Sequence, residues 1–193
     1  MKCKIQSSAV YKREGLQVKM GVFLSSFLFG TRKAQILILG LDAGGKTTIL
    51  YRLKTGVGAI TVPTIGFNAE EIKYGNLSFV AFDIGGQDRI RKMWPHYFPK
   101  TDGVVFVVDS ADRNRINLAK KELDLLHAHP MLNNIPFLIF ANKQDISTAM
   151  KQEELCRALN MFTYKDRVWK VQPSVGTDGT GVQEGFTWLS KNI

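Results

Sequence analysis

The stretch QILILGLDAGGKTT, residues 35–48, decides the fold. A run of branched apolar residues ends at Gly40 and is followed by two more glycines, a lysine and two threonines. The apolar run predicts a buried β-strand, and the segment from Lys46 onward predicts a helix. A glycine-rich turn between a strand and a helix brings backbone N–H groups and the positive end of the helix dipole to one point, which suits an anion.

The spacing Gly40-x-x-x-x-Gly45-Lys46-Thr47 matches the P-loop pattern for nucleoside triphosphates. We expect the Lys46 amine to reach the β- and γ-phosphates and the Thr47 hydroxyl to bind Mg²⁺. The alternative is a glycine-rich turn without a ligand. The residues expected around the phosphates are Gly40, Leu41, Asp42, Ala43, Gly44, Gly45, Lys46, Thr47 and Thr48.

The length of 193 residues fits one domain with a sizeable core. The net charge of +9 is concentrated at the front, because residues 1–33 carry seven basic residues and one acidic residue. A basic tail suits an anionic membrane surface at least as well as a phosphate backbone, and we expect no nucleic-acid partner. Cys3 and Cys156 have no metal-site or disulfide-framework spacing, which favours a cytosolic protein with Cys156 buried in a helix. No apolar run is long enough to span a membrane.

Short apolar β-rich segments alternate with helical segments along the chain. This pattern predicts a doubly wound α/β domain with a mostly parallel six-stranded sheet covered on both faces. The exception is an antiparallel edge hairpin turning at Tyr74-Gly75-Asn76. The expected strands are FNAEEIKY and the segments 35–40, 75–83, 103–109, 134–142 and 167–174, and the expected helices are 46–55, 113–129, 151–160 and 181–192.

The segment Asn142-Lys143-Gln144-Asp145 follows an apolar strand and indicates the base of the nucleotide. The Asp145 carboxylate can accept two hydrogen bonds from guanine, whereas adenine would leave a buried acceptor unsatisfied at a cost of about 1–3 kcal/mol or more. We expect Asn142 to bond the imidazole side of the purine and the Lys143 stem to lie against its rings. GTP is therefore favoured over ATP.

Two segments between these motifs predict a switch that responds to the γ-phosphate. Asp83 is placed to hold Mg²⁺ through water, the Gly86 amide to meet the γ-phosphate, and Gln87 to orient the attacking water. Thr64 would complete the Mg²⁺ shell only in the triphosphate state, and a solvated turn is its alternative interpretation. Such loops become ordered with GTP and are released on hydrolysis.

These motifs closely resemble those of the ADP-ribosylation factor (Arf and Arf-like) family of small GTPases. The resemblance runs from about Met20 to Ile193 and is carried by GLDAGGKTTILYRL (40–53), VPTIGFN (62–68), FDIGGQDRIRKMWPHYF (82–98), VVDSADR (107–113) and FANKQD (140–145). It implies the P-loop small GTPase fold and a monomer that works with an exchange factor, a GTPase-activating protein, effector proteins and membrane lipids. It also implies cycling from the cytosol to endomembranes, with the Golgi as the first expectation.

The resemblance also assigns an aromatic effector surface and the segment that meets the guanine carbonyl. Phe67, Phe82 and Tyr97 stand at the effector positions, although core packing is the alternative for all three, and Phe82 replaces the family's usual tryptophan. Val175 and Gly176 stand at the guanine carbonyl, and Gly176 replaces the usual alanine. Because glycine costs more backbone entropy to order, we expect somewhat faster nucleotide exchange.

The front of the chain is similar to an Arf start at Met20, in which residues 20–33 would form an amphipathic helix and a linker before a GTPase domain at 34–193. If Met20 is the start, Gly21 opens a myristoylation signal. Residues 1–19 would then be a start-site extension. Otherwise the basic residues of this leader, together with a lipidated Cys3, would provide the anchor.

Other functions fit these residues less well. A GTP-bound scaffold with vestigial hydrolysis conflicts with the intact Gln87, and a nucleoside kinase conflicts with the Asn142–Asp145 motif. A Gα subunit needs a helical insert, for which the chain between Lys54 and Thr64 has no room. No arginine matches the cis-arginine of Gα subunits, so we expect slow hydrolysis unless an activating protein supplies one. Asp42 would repel the phosphates and could aid exchange.

Overall fold

A computed structural model describes residues 32–55, 67–74, 77–84 and 86–193 of the chain. Four short 3₁₀ helices interrupt the connections at Trp94–Tyr97, Arg113–Arg115, Pro130–Leu132 and Met161–Thr163. The strands and α-helices, in chain order, are β1 (Arg32–Leu39), α1 (Lys46–Thr55), β2 (Phe67–Tyr74), β3 (Leu77–Ile84), α2 (Asp88–Arg91), β4 (Gly103–Asp109), α3 (Ile116–Ala128), β5 (Phe137–Asn142), α4 (Gln152–Ala158), β6 (Trp169–Pro173) and α5 (Val182–Ser190).

The six strands form one sheet in the order β2-β3-β1-β4-β5-β6. Only the β2–β3 pair is antiparallel, with register from Phe67 opposite Ile84 to Tyr74 opposite Leu77. The other four pairs are parallel. The doubly wound, mostly parallel six-stranded sheet with an antiparallel edge hairpin is therefore confirmed. The carboxyl ends of β1, β3, β4, β5 and β6 lie along one edge, where open α/β sheets bind their ligands.

The buried residues form two apolar clusters, one on each face of the sheet. Leu37 and Leu39 of β1 belong to one cluster, Ile36 and Ile38 to the other, and all four are fully buried. This alternation follows from the strand geometry, in which successive side chains point to opposite faces. Helices α3 and α4 cover the first face, and α1 and α5 cover the second. The continuous apolar strands of the sequence are explained by burial on both sides.

The four predicted helices are present; the helix predicted at 46–55 has these bounds, and the other three differ at their ends. The segment predicted as 113–129 begins as a 3₁₀ turn, because the Asp112 carboxylate caps it by accepting the Arg115 amide at 3.2 Å. The predicted helix 151–160 ends early, since Asn160 adopts a left-handed φ of 54°. Cys156 is fully buried in α4, as predicted. Strand β1 starts at Arg32, two residues before the boundary expected for the GTPase domain.

The shortest helices were not predicted from the sequence as separate elements. Helix α2 and the 3₁₀ helices have three or four residues each, which is about one turn, so their sequences show no periodicity.

Within the described part of the chain, no helix combines the length and apolar character needed to cross a bilayer.

Candidate functional site

The phosphate loop, residues 40–47, leaves β1 and enters α1 in a conformation that requires glycine. Gly40 has a φ of 137°, and a Cβ there would lie 2.2 Å from the carbonyl oxygen of Val107 on β4. Gly45 has a φ of 95°, and a Cβ there would lie 2.3 Å from Nδ2 of Asn142. Both glycines therefore let the loop pack directly against the ends of β4 and β5. The backbone forms a cradle that a side chain would fill.

Lys46 closes this cradle. Its side chain is buried, and Nζ donates to the carbonyl oxygens of Gly40 at 3.1 Å and Leu41 at 2.8 Å. The amine thus reaches from the first turn of α1 back to the start of the loop. A positive charge held across a loop of backbone amides is a donor set for phosphate oxygens. The residues present therefore fit a nucleoside triphosphate.

Asn142 joins three segments at the carboxyl end of β5. Its Nδ2 donates to the Gly44 carbonyl at 2.9 Å, and its Oδ1 accepts from the Gly176 amide at 2.9 Å and the Ser174 hydroxyl at 3.2 Å. The residue is buried. Sequence reasoning placed Asn142 on the purine but did not foresee these contacts. The asparagine fixes the phosphate loop relative to the segment after β6.

The two charged residues that follow Asn142 differ in their surroundings. Lys143 has a left-handed φ of 64°, and its Nζ lies 2.6 Å from Oδ2 of Asp109 at the end of β4. Asp145 is exposed, so its carboxylate is available to a base. The Asp109 side chain was not identified from the sequence. Its signals were its place in the motif VVDSADR (107–113) and its position at a strand end, where β4 and β5 place Asp109 beside Asn142.

Val175 and Gly176 lie in a tight turn after β6. The Val175 amide donates to the Thr180 carbonyl at 2.9 Å, and the Gly179 amide donates to the Val175 carbonyl at 2.8 Å. Gly176 is buried, and its amide is directed at Asn142. The role predicted for this amide at the guanine carbonyl stays a prediction.

Gly86, in the connection between β3 and α2, lies directly on the phosphate loop. A Cβ on Gly86 would come within 2.2 Å of the Leu41 carbonyl carbon and 2.3 Å of the Asp42 nitrogen. Gln87 is exposed and directly precedes α2. Its backbone carbonyl accepts hydrogen bonds from the amides of Ile90 and Arg91. The predicted hydrolytic residue is therefore adjacent to backbone that touches the phosphate loop.

Arg91 holds this connection in place. Its side chain is 9% exposed, and Nη1 donates to the Gly86 carbonyl at 2.7 Å. Nε pairs with Glu122 of α3 at 3.1 Å, and Nη2 pairs with Asp88 at 2.8 Å. The role of this arginine was not predicted, because its partner Glu122 is 31 residues away along the chain.

A second arginine contacts the phosphate loop from outside. Arg115 Nη1 lies 3.0 Å from Oδ1 of Asp42, and its Nε lies 2.5 Å from Oδ2 of Asp112. The hydrogen bond to Asp112, with a smaller contribution from Asp42, raises the pKa of the Arg115 guanidinium above its usual value. Arg115 is also a residue that sequence reasoning missed, although Asp112 belongs to the recognised VVDSADR motif.

Two of the residues expected to hold Mg²⁺, Thr47 and Asp83, are described, and both lie at the same edge of the sheet. Thr47 stands in the first turn of α1, and the backbone of Asp83 pairs with Ile38 of β1. A hydroxyl and a carboxylate beside a phosphate site form the oxygen donor set that Mg²⁺ prefers, so these residue types fit the ion. Thr64 lies outside the described residues, and only the backbone of Asp83 is described.

The predicted effector residues are described in part. The rings of Phe82 and Tyr97 have centroids 6.0 Å apart, and both residues pack on the edge of the first apolar cluster while remaining partly exposed. Phe67 is described through its backbone alone, and the predicted lipidation residue Gly21 lies outside the described residues. Thr48, the last residue expected around the phosphates, is half-buried in α1.

Comparison with known proteins gives the family. The sequence model of the ADP-ribosylation factor family matches residues 3–193. The chain is also similar to the Arl6 (BBS3) small GTPase of Trypanosoma brucei, whose structure holds the nucleotide analogue GppNp. The two share 37% identity, the match covers 83% of this chain and 96% of that chain, and the TM-score is 0.77. The chain therefore belongs to the ADP-ribosylation factor family of small GTPases, GTP hydrolases that act as nucleotide-dependent switches.

Proposed function

We propose that this Arf-family GTPase recruits effectors to a membrane in its GTP state and hydrolyses GTP slowly until an activating protein engages it. The observation that carries the proposal is the junction at Asn142. This buried side chain joins the phosphate loop at Gly44 to the predicted base segment at Gly176. One residue thus connects the predicted phosphate cradle to the segment predicted to meet the guanine carbonyl.

The phosphate end of the nucleotide is assigned to residues 40–48. The Lys46 amine crosses the loop to the Gly40 and Leu41 carbonyls, and its positive charge adds to that of the helix N-terminus. Thr47, Thr64 and, through water, Asp83 would hold Mg²⁺ together with phosphate oxygens. When bound, the ion neutralises charge on those oxygens.

The base end is assigned to five residues at the ends of β5 and β6. The Asp145 carboxylate would accept the ring N–H and the exocyclic amine of guanine, which adenine cannot supply in the same pattern. The ion pair with Asp109 keeps the Lys143 side chain at this edge, where its apolar stem can cover the base. The set is Asn142, Lys143, Asp145, Val175 and Gly176.

Hydrolysis is assigned to the β3–α2 connection. Gln87 would orient the attacking water, and the Gly86 amide would donate to the γ-phosphate. Among the described residues, Arg91 contacts Gly86 and Arg115 contacts the phosphate loop, and both arginines are paired with carboxylates. An arginine supplied by an activating protein would therefore be needed for fast turnover, with an effect of about 10³–10⁵-fold.

Membrane attachment is assigned to the front of the chain. Residues 20–33, with myristoylated Gly21, would insert when GTP is bound and leave the aromatic surface of Phe67, Phe82 and Tyr97 for effectors. A myristoyl chain alone binds membranes with a constant of only about 10⁴ M⁻¹, so the helix and the lipid are both required. The exchange factor, the activating protein and the effectors would meet a monomer on the cytosolic face of endomembranes, with the Golgi favoured and vesicle transport as the process.

Sedimentation with anionic liposomes tests this function. The chain starting at Met20, with and without myristate, and the full chain are loaded with GDP or a non-hydrolysable GTP analogue. We expect strong pelleting only for the acylated protein with the GTP analogue. Equal pelleting in both nucleotide states would show that the nucleotide does not control attachment, and the membrane switch would be withdrawn while GTP binding could stand.

A further inference from the structure

An acidic side chain stands in the middle of the predicted phosphate-binding loop. Asp42 is the third residue of the segment 40–48, and its carboxylate is 45% exposed. Like charges repel, so an unpaired carboxylate here would oppose a bound di- or triphosphate. The structure shows that this carboxylate is paired.

Arg115 makes the pair with two of its guanidinium nitrogens. Nη1 donates to Oδ1 of Asp42 at 3.0 Å, and Nη2 approaches the backbone carbonyl oxygen of Asp42 at 3.4 Å. The two segments are 73 residues apart in sequence. The arginine therefore contacts both the charge and the backbone of the loop.

Asp112 orients the arginine. Its Oδ2 accepts from Arg115 Nε at 2.5 Å, while its Oδ1 accepts the Arg115 backbone amide at 3.2 Å. The second contact caps the 3₁₀ turn from which Arg115 projects. A planar guanidinium held by two carboxylates and a carbonyl has little rotational freedom left, unlike a typical surface lysine.

A shallow cleft lies between the outer part of the phosphate loop and the start of α3, and Asp42, Val108 and Arg115 are among the residues that line it. The loop start is in contact with β4 through Gly40 and Val107. Its outer part, around Asp42, is bridged to the body of the domain by Arg115.

We propose that Arg115, oriented by Asp112, is a positioning residue that neutralises Asp42 and holds the outer phosphate loop, and so slows nucleotide release. The inference rests on the proposed nucleotide-binding function. It differs from a simple surface ion pair, which would have no effect on the nucleotide. It also assigns Asp42 a conditional effect: the carboxylate promotes release only when Arg115 is displaced.

A double-mutant cycle on the full chain tests the inference. The release rate of fluorescent GDP is measured at fixed Mg²⁺ for the wild type, Arg115→Ala, Asp42→Ala and the double variant. We expect Arg115→Ala to release GDP faster by about two- to fivefold, the range that a partly exposed ion pair supports. The same change in the Asp42→Ala background should have less than half of that effect on a logarithmic scale.

Two further variants separate positioning from general stability. Arg113→Ala removes the neighbouring arginine, which pairs with Glu154 at 2.6 Å and does not contact the loop, and it should release GDP at the wild-type rate. Arg115→Lys keeps the charge without the planar fork and should give an intermediate rate. Raising the salt concentration should reduce the difference between wild type and Arg115→Ala, because exposed charges are screened.

The outcomes are distinguishable. Equal acceleration by Arg115→Ala in both backgrounds, or none in the wild-type background, would overturn the coupling to Asp42. If Arg115→Ala does not fold, the cycle is run with Arg115→Lys and the same criterion applies. Failure of the wild type to bind GDP would instead overturn the proposed nucleotide site, and this inference with it.

Discussion

Asn142 and Gly176 are joined across two neighbouring strand ends, with the Asn142 Oδ1 accepting the Gly176 amide at 2.9 Å. The same side chain donates to the phosphate loop at Gly44, 98 residues away in sequence. Because the asparagine is buried, these contacts are shielded from water and are stronger than exposed ones. The position of the segment after β6, which contains Gly176 and is predicted to meet the base, is thus coupled to that of the phosphate loop through one side-chain amide.

Asn142→Ala should weaken the binding of both GDP and GTP. The change leaves the Gly44 carbonyl and the Gly176 amide without this partner, and a buried unsatisfied group costs about 1–3 kcal/mol, or about 5- to 150-fold in affinity. Titration with fluorescent nucleotides measures the effect. Asn192→Ala is the control, because that exposed amide bonds only to the nearby Trp188 carbonyl. Wild-type affinity in Asn142→Ala would contradict the coupling.

Gly176→Ala should slow GDP release by about two- to fivefold, since removing a glycine's freedom contributes about 0.4–1 kcal/mol. The added methyl group would lie 3.2 Å from Cγ1 of Ile49 and 3.5 Å from Asn142 Nδ2, close enough to require a small shift of Ile49. Stopped-flow release of fluorescent GDP gives the rate. Combining the change with Ile49→Val, which removes Cδ1 and so eases the shift of Cγ1, should keep the slow release. An unchanged or faster release in both variants would count against the entropic explanation.

Asp145→Asn should change the base that the site accepts. An amide cannot accept both guanine hydrogens, so GTP affinity should fall by about tenfold or more. The amide can instead donate to xanthine, which carries a carbonyl in place of the guanine amine, so xanthosine triphosphate should bind better than GTP. Competition titrations of the two nucleotides provide the test. Since Asp145 is exposed, the melting temperature of the Asp145→Asn variant should stay near the wild-type value. A retained preference for GTP would disprove the assignment of Asp145 to guanine.

Gln87→Leu should slow hydrolysis without loss of nucleotide binding. Misplacement of the attacking water costs about 10²-fold in rate. Because Gln87 is exposed, the free energy of unfolding should change by less than about 0.5 kcal/mol. Single-turnover assays, with and without an activating protein, measure the rate. The matched control is Gln183→Leu, which changes an exposed glutamine of α5. Hydrolysis by Gln87→Leu at the same rate as by Gln183→Leu would support the scaffold alternative.

His127→Phe should reduce the loss of stability at acid pH. The His127 ring stacks with those of Phe137 and Tyr164, with ring centroids 4.2 Å and 3.7 Å apart. Burial, aided by the charge of Arg167, lowers the pKa of His127 from 6.5 to about 4. Between these values the unfolded chain binds a proton that the folded protein does not, so stability falls as the pH drops from about 6.5 to 4.

Urea unfolding at pH 7, 5.5 and 4.5 measures this effect. The wild type should lose more free energy of unfolding than His127→Phe over this range, since the phenylalanine cannot take up a proton. His96→Phe changes an exposed histidine and should follow the wild type. Parallel curves for all three proteins would show that His127 titrates normally.

Local sequence patterns were sufficient for the strands and for the phosphate loop. The run ILIL before Gly40 reads as buried on both sides because Ile36 to Leu39 face the two clusters alternately. The hairpin of β2 and β3 followed from its turn residues. The ends of α3 and α4 were misplaced, because the Asp112 cap and the left-handed Asn160 act on single residues and leave no periodic signal.

The contacts that connect the site's segments could not be read from the sequence. Arg115 and Asp42 are 73 residues apart, and Arg91 and Glu122 are 31 apart. Their meeting depends on how the sheet brings loop ends together, and a charged residue in a loop is by itself compatible with simple solvation. Motifs therefore identified the groups expected to touch the ligand, and only the fold identified the residues that hold them.

The parallel pairing of β3 with β1 limits how the edge hairpin can move. Phe82 and Ile84 both face the first apolar cluster, so a shift of β3 along β1 by one residue would move both side chains to the opposite face of the sheet. Only an even displacement preserves the faces, and the shortest is two residues, about 6.6 Å. Any rearrangement of this edge that keeps the sheet intact is consequently a discrete step, and intermediate positions are unstable.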